Sequence, residues 1–190
     1  MVEYEAGDTM KFYAYSNSLG SGVTTSWDEC KLKIKGIKSR YKKFPSRELA
    51  KSWLANDFNV VLPKAVYFDA GTGSGETEVR VTNEKGESLI KNSNSRGNLS
   101  VKGQTNNFGE LMGMKIALEL ALSSKIKKVC GDSKLVIEYW SKGFIKKQLP
   151  EQTVKLAEET KIIREKFEKG GGKVEHISGD INPADLGYHR

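Results

Sequence analysis

Between Asn107 and Leu122, the residues Leu111, Met114, Leu118 and Ala121 recur at the spacing that places side chains on one face of a helix. A helix with one apolar face must bury it, and the neighbouring segments read as strands. Ala65–Ala70 is one. Glu78–Thr82 and Glu87–Lys91, on either side of the turn residues Asn83-Glu84-Lys85-Gly86, predict two more in a meander. Asn92–Gln104 is polar and glycine-punctuated and has no assignable element. Beyond the helix come a strand at Ile126–Gly131, a helix at Ser133–Ser141 and a long charged helix at Glu151–Lys169, closed by Gly170-Gly171-Gly172. A strand at Lys173–Ile177 follows, and Asn182-Pro183 starts a short last helix. This order predicts an α/β fold with a mixed five-stranded sheet flanked by helices.

A chain of 190 residues has room for a second, small domain ahead of that sheet. Lys11–Tyr15 and Val23–Ser26 read as hairpin strands around Ser16–Gly22, and Trp27-Asp28-Glu29-Cys30 opens a helix with Ser26 as its cap. Ser39–Phe44 is a short strand, and a second helix starts at Pro45-Ser46-Arg47-Glu48. The expected domains are therefore a small α+β unit over 9–55, a connector over 56–63 and the larger unit over 64–190. Net charge is +7, and the positive charge is densest between Lys11 and Lys51, where the only acids are Asp28, Glu29 and Glu48. Such a balance suits a polyanionic partner. No apolar run reaches the length of a bilayer span, and the acidic start MVEYEAGDTM has no signal character. Cys30 and Cys130 lack metal-ligand spacing and read as reduced thiols, so the expectation is a cytoplasmic protein, monomeric and without a membrane partner.

The chemistry lies in four acids. Asp69 sits in the first strand of the larger unit, out of phase with Val66 and Phe68. Glu110 is one turn into the amphipathic helix, Asp132 ends the Ile126–Gly131 strand, and Asp185 is in the first turn of the expected last helix. Strand ends and helix starts meet at one edge of an α/β sheet. Carboxylates converging there stay ionised only beside a cation, and oxygen ligands suit Mg²⁺ or Mn²⁺. Each acid also has a plainer reading. Asp132 and Asp185 suit helix N-termini, Asp185 also as partner of an Asn182 cap, and Glu110 can close a capping box with Asn107. Asp69 resists such a reading, because an acid inside an apolar strand needs a partner.

The larger unit resembles the type 1 ribonuclease H family through Tyr67-Phe68-Asp69-Ala70-Gly71, Thr105-Asn106-Asn107-Phe108-Gly109-Glu110-Leu111, Cys130-Gly131-Asp132-Ser133 and Asn182-Pro183-Ala184-Asp185. The resemblance implies a ribonuclease H-like fold and a quartet of Asp69, Glu110, Asp132 and Asp185 that is catalytic and holds two Mg²⁺ ions, with Mn²⁺ as substitute. It implies endonucleolytic cutting of the RNA strand of an RNA–DNA hybrid, leaving 5′-phosphates. It also implies that Asn106 and Asn107 touch nucleic acid near the cut and that Thr105 helps hold a DNA phosphate. The smaller unit is similar to the hybrid-binding domain of such enzymes and of viroplasmin-like proteins, through Phe12-Tyr13-Ala14-Tyr15, Gly22-Val23, Ser26-Trp27-Asp28-Glu29-Cys30 and Arg40-Tyr41-Lys42-Lys43-Phe44. By that likeness Trp27 and Tyr41 pack on deoxyribose rings while Tyr13, Lys42 and Lys43 hold backbone. The plainer reading makes Trp27 and Tyr41 core residues.

The chain departs from the family pattern at several points. The loop Ile177–Asn182 has no histidine where many members carry one. His176, level with Val174 in its strand, reads as a structural histidine, with an acid–base role as the weaker alternative. Lys102 and Gly103 stand where an arginine often supports the DNA phosphate, and Gly109 replaces a commoner alanine. The region after Asp132 lacks the long basic insertion of some members, so the grip falls to the first domain. The rival reading is a non-catalytic protein of the same fold that binds hybrid or double-stranded RNA.

Overall fold

Asn17 closes the first hairpin with its own side chain, its Oδ1 accepting the Leu19 N–H at 3.0 Å between β1 (Phe12–Asn17) and β2 (Gly20–Thr24). The computed structural model describes residues 10–73 and 75–187. Thr9, where the first domain was expected to begin, and residues 188–190 of the second lie outside them. The chain divides into two compact units, the first ending at Val61 and the second beginning at Leu62.

In the first unit β1 is central, paired antiparallel with β2 and with β3 (Arg40–Phe44). Ser26 caps α1 (Trp27–Ile34) and Ser46 caps α2 (Arg47–Ala55), each hydroxyl accepting a backbone N–H from the first turn. The core is small, as so short a unit requires: Ala14, Cys30, Phe44, Ala50 and Trp53 are its buried apolar residues. Phe58 lies within the expected connector yet belongs to this unit. Its N–H donates to the Trp53 carbonyl at 2.8 Å and its ring meets the Trp53 indole edge-on at 4.9 Å.

The second unit holds a five-stranded sheet in the order β6-β5-β4-β7-β8. β4 (Val66–Gly73), β5 (Glu76–Thr82) and β6 (Leu99–Lys102) are antiparallel, while β7 (Lys128–Gly131) and β8 (Lys173–His176) run parallel to β4 and to each other. Residues of even number in β4, Val66, Phe68 and Ala70, join Val79 and Val81 against Leu111, Met114 and Leu118 of α3 (Asn106–Ser123). The helix α4 (Lys134–Glu138) and a 3-10 turn at Trp140–Lys142 lead to α5 (Glu151–Lys169), which packs on α3. No helix among the described residues is long and apolar enough to cross a membrane.

Two expected elements are corrected. Glu87–Lys91 is no strand and makes only an isolated bridge, Ser88 to Thr82; the third meander strand is β6, from the stretch left unassigned. The turn at Asn83–Gly86 forms, but the chain then leaves the sheet. Asn94, Arg96 and Asn98 bring it back by bonding the buried Glu78 carboxylate of β5. The helix expected from Asn182 is also absent among the described residues. A 3-10 turn at Gly179–Ile181 leads into a turn held by Asn182, whose Oδ1 accepts the Ala184 N–H at 3.1 Å.

α3 lies unusually close to the sheet at Gly109. A Cβ there would stand 2.5 Å from Thr77 Cγ2 and 2.9 Å from the Ala70 methyl, which accounts for glycine in place of alanine. Gly109→Ala is expected to destabilise the second unit by about 1–3 kcal/mol through overpacking. Denaturant unfolding of the full chain measures this, and a loss below about 0.5 kcal/mol would show that the helix can lift away without cost.

Candidate functional site

Three elements deliver three acids to one place. Asp69 is the fourth residue of β4, Glu110 is one turn into α3, and Asp132 follows the last residue of β7. One oxygen from each lies within 4.8 Å of the others. Asp69 and Glu110 are 2% and 4% exposed, which places them among core residues, while Asp132 is half-buried. Gly131 lets β7 come close: a Cβ there would meet the Phe68 ring at 2.3 Å.

Burial raises the pKa of all three carboxyls above the ordinary range. Repulsion from Asp132 adds to the shift at Asp69, and repulsion from both Asp69 and Asp132 adds to it at Glu110. At Asp132 the second influence is opposite, a hydrogen bond from the Asn182 side chain. Asp69 Oδ2 accepts the Leu186 N–H at 2.9 Å. Asp69 Oδ1 and Glu110 Oε2 are buried and have no hydrogen-bond partner. Two orphaned acceptors among three close carboxylates are what a hard divalent cation would satisfy, so the donor set fits Mg²⁺ or Mn²⁺.

The plainer reading of Glu110 does not hold, because Thr105 caps α3, its Oγ1 accepting the Phe108 N–H at 3.2 Å, and Glu110 is turned inward. Asp132 immediately precedes Ser133, which caps α4, so its position beside a helix start is as expected. Asp185 is not in the three-acid cluster. It lies near enough to raise the Asp132 pKa, while its own Oδ1 accepts the Gly187 N–H at 2.8 Å in a turn rather than a helix. His176 is exposed at the end of β8 and is not an interior histidine. It is paired with Gly131, and its Nε2 is 3.2 Å from the Asp132 carbonyl. Along β8 only Val174 is half-buried against the core, and His176, two residues on and at the end of the strand, is exposed.

Asn182 was read from the sequence only as a helix start and motif residue, and Leu186 was not singled out at all. Asn182 donates from Nδ2 to the Phe68 carbonyl at 3.0 Å, tying the last turn to β4 next to Asp69. The Asn-Pro pair was visible, but the partner lies 114 residues away. Leu186 acts through its backbone N–H, which side-chain identity does not advertise. At the start of α3, Thr105 and Asn107 are exposed, and the Asn106 Oδ1 is buried without a partner.

On the first unit Trp27 bridges two tyrosines, with ring centroids 5.5 Å from Tyr13 and 5.8 Å from Tyr41. Trp27 is 41% and Tyr41 53% exposed, so neither is a core residue. Lys43 faces Tyr13 across β1 and β3, and Tyr41 faces Tyr15; these side chains share one face of the sheet. Lys42 faces Ala14 and leaves on the opposite side. The structure therefore groups Tyr13, Trp27, Tyr41 and Lys43 without Lys42.

Residues 11–54 match the family model described as Ribonuclease H1 N-terminal domain. No curated protein matches the chain. Among solved structures, RNase H1 from the halophilic archaeon Halobacterium salinarum NRC-1 is similar at 15% identity and a TM-score of 0.39, over 60% of this chain and 84% of that one. The N-terminal RNase H domain of rv2228c from Mycobacterium tuberculosis, solved as a fusion with maltose-binding protein, gives 21% identity and a TM-score of 0.40, over 59% and 84%.

Proposed function

We propose that this chain, a ribonuclease H1 N-terminal domain followed by a ribonuclease H-like unit, is an endonuclease that hydrolyses the RNA strand of RNA–DNA hybrids. The observation that carries the proposal is the Asp69–Glu110–Asp132 cluster with its two orphaned buried oxygens. Two divalent ions, Mg²⁺ with Mn²⁺ as substitute, would supply Lewis acidity and a water acidified toward neutral pH. Asp69, Glu110 and Asp132 would hold them, with Asp185 as the fourth ligand. Leu186 fixes Asp69 through its N–H, and Asn182 orients Asp132 while anchoring to β4. Trp27, Tyr13 and Tyr41 offer apolar faces to deoxyribose, and Lys43 neutralises phosphate; Lys42 does so from the other face of the sheet. Thr105, Asn106 and Asn107 meet the nucleic acid at the start of α3. The second unit distinguishes RNA from DNA by the 2′-hydroxyl, and little base readout is involved.

The test is a labelled RNA–DNA hybrid beside matched duplex RNA and duplex DNA, each with Mg²⁺, Mn²⁺ or chelator. The expected result is internal cleavage of RNA in the hybrid, with 5′-phosphate and 3′-hydroxyl ends, abolished by chelator. Tight hybrid binding with no cleavage in either metal would replace the nuclease with the non-catalytic binding protein.

A further inference from the structure

The second unit holds a polar cavity of about 340 Å³, lined by Glu78, Arg80, Arg96, Asn98 and Leu186. Leu186 makes it a neighbour of the acid cluster, because the same residue's N–H donates to Asp69 Oδ2. Arg80 stands directly opposite Asp69 in the β4–β5 register, so both side chains leave the same face of the sheet.

Inside the cavity the Glu78 carboxylate is engaged. Arg96 Nη2 lies 2.5 Å from Oε1, and the side-chain amides of Asn94 and Asn98 each donate to Glu78 at 3.1 Å. Arg80 has no comparable partner among the described residues. Its Nη2 reaches the Gly86 carbonyl at 3.5 Å, and its Nε is buried with no acceptor. Two guanidiniums against one carboxylate leave the lining net positive. A half-buried guanidinium whose Nε–H has no acceptor is costly to keep, and a guanidinium fork matches a pair of phosphate oxygens.

We propose that Arg80 and this cavity hold a phosphate of the nucleic-acid strand entering the acid cluster. The identity of the strand rests on the hybrid-cleaving function proposed above; the anion site itself rests on the cavity. The site is distinct from Thr105, Asn106 and Asn107, which lie at the start of α3. Arg80 is a positioning residue, setting where along the strand the acids meet the backbone.

Hybrid binding measured in chelator across a range of salt concentrations tests this with wild type, Arg80→Gln and Arg80→Lys. Arg80→Gln should weaken binding roughly 10-fold and lower the salt slope by about 1, and Arg80→Lys should restore most of the slope. In the cleavage assay Arg80→Gln should raise KM more than it lowers kcat. Unchanged affinity and slope in an Arg80→Gln protein of wild-type melting temperature would overturn the site.

If Arg80→Gln does not fold, the Arg80 Nε–H resonance of the wild-type protein carries the test. The probes are inorganic phosphate and hybrids whose RNA starts with a 5′-hydroxyl or a 5′-phosphate. A shift with both hybrids supports an internal diester; a shift with inorganic phosphate and the 5′-phosphate hybrid alone supports a terminal phosphate. No shift with any probe overturns the proposal. A wild type that binds hybrid without cutting it removes the nuclease reading, and the salt slope still decides the anion site.

Discussion

Glu110→Gln should abolish cleavage and at the same time make the metal-free protein more tolerant of rising pH. Glu110 is a direct ligand in the proposed centre. Its loss should therefore cost more than the roughly 10–100-fold typical of an outer partner, with hybrid affinity in chelator little changed. The second effect follows from burial. Asp69, Glu110 and Asp132 all have folded-state pKa values raised above those of the unfolded chain, burial being the largest cause at each. Between the unfolded and folded pKa values the native state binds more protons, so stability falls as pH rises. The fall begins near pH 4, where free carboxyls ionise, and continues upward through the raised folded values. Glutamine at position 110 is nearly isosteric and cannot ionise, so it removes the largest part of this slope.

Mg²⁺ acts in the opposite sense. By binding the ionised carboxylates of the native state it should raise the melting temperature of the wild type, more at pH 8 than at pH 5, with protons released on binding. Glu110→Gln should lose most of that response. Thermal melts of wild type and variant, with Mg²⁺ and with chelator, at several pH values, measure both. A wild type whose metal-free stability rises between pH 5 and 8, with no Mg²⁺ shift, would contradict a shared cation site. A simple loss of packing in the variant would lower its melting temperature at every pH instead.

Legibility differed from element to element for physical reasons. α5 was readable at its end because three glycines follow it, and Pro150, which stands at its N-cap, marks its start in the same local way. The meeting of Asp69, Glu110 and Asp132 was readable because strand phase and helix register are local properties that the topology carries to one edge. β6 was not readable. It is four residues long, half-exposed, at a sheet edge, and its approach depends on a Glu78 contact made 16 to 20 residues earlier in the chain. The last helix was misjudged because Asn-Pro is helix-starting chemistry, yet Asn182 spends its side chain on the Phe68 carbonyl and on its own turn. The opposite facing of Lys42 and Lys43 follows from strand alternation alone. The resemblance, which treats them as a pair, hid it.

Trp27→Ala should weaken hybrid binding by roughly 10–100-fold, the range for one lost aromatic–nucleotide contact of about 1–3 kcal/mol. The indole sits at the start of α1 with both tyrosines against it and two-fifths of its surface open. It is therefore held in place before any ligand arrives, and little ordering cost falls on binding. Binding is best measured in the Glu110→Gln background, where substrate stays intact with metal present. Trp27 carries no charge, so its loss should lower affinity by the same factor at every salt concentration. Lys43→Ala should instead flatten the salt dependence by about one unit. The Trp27 indole is not in the buried core, so the melting temperature of the variant should stay close to that of the parent. Unchanged affinity with a lowered melting temperature would make the Tyr13–Trp27–Tyr41 cluster a packing device, and the grip would then lie elsewhere on the chain.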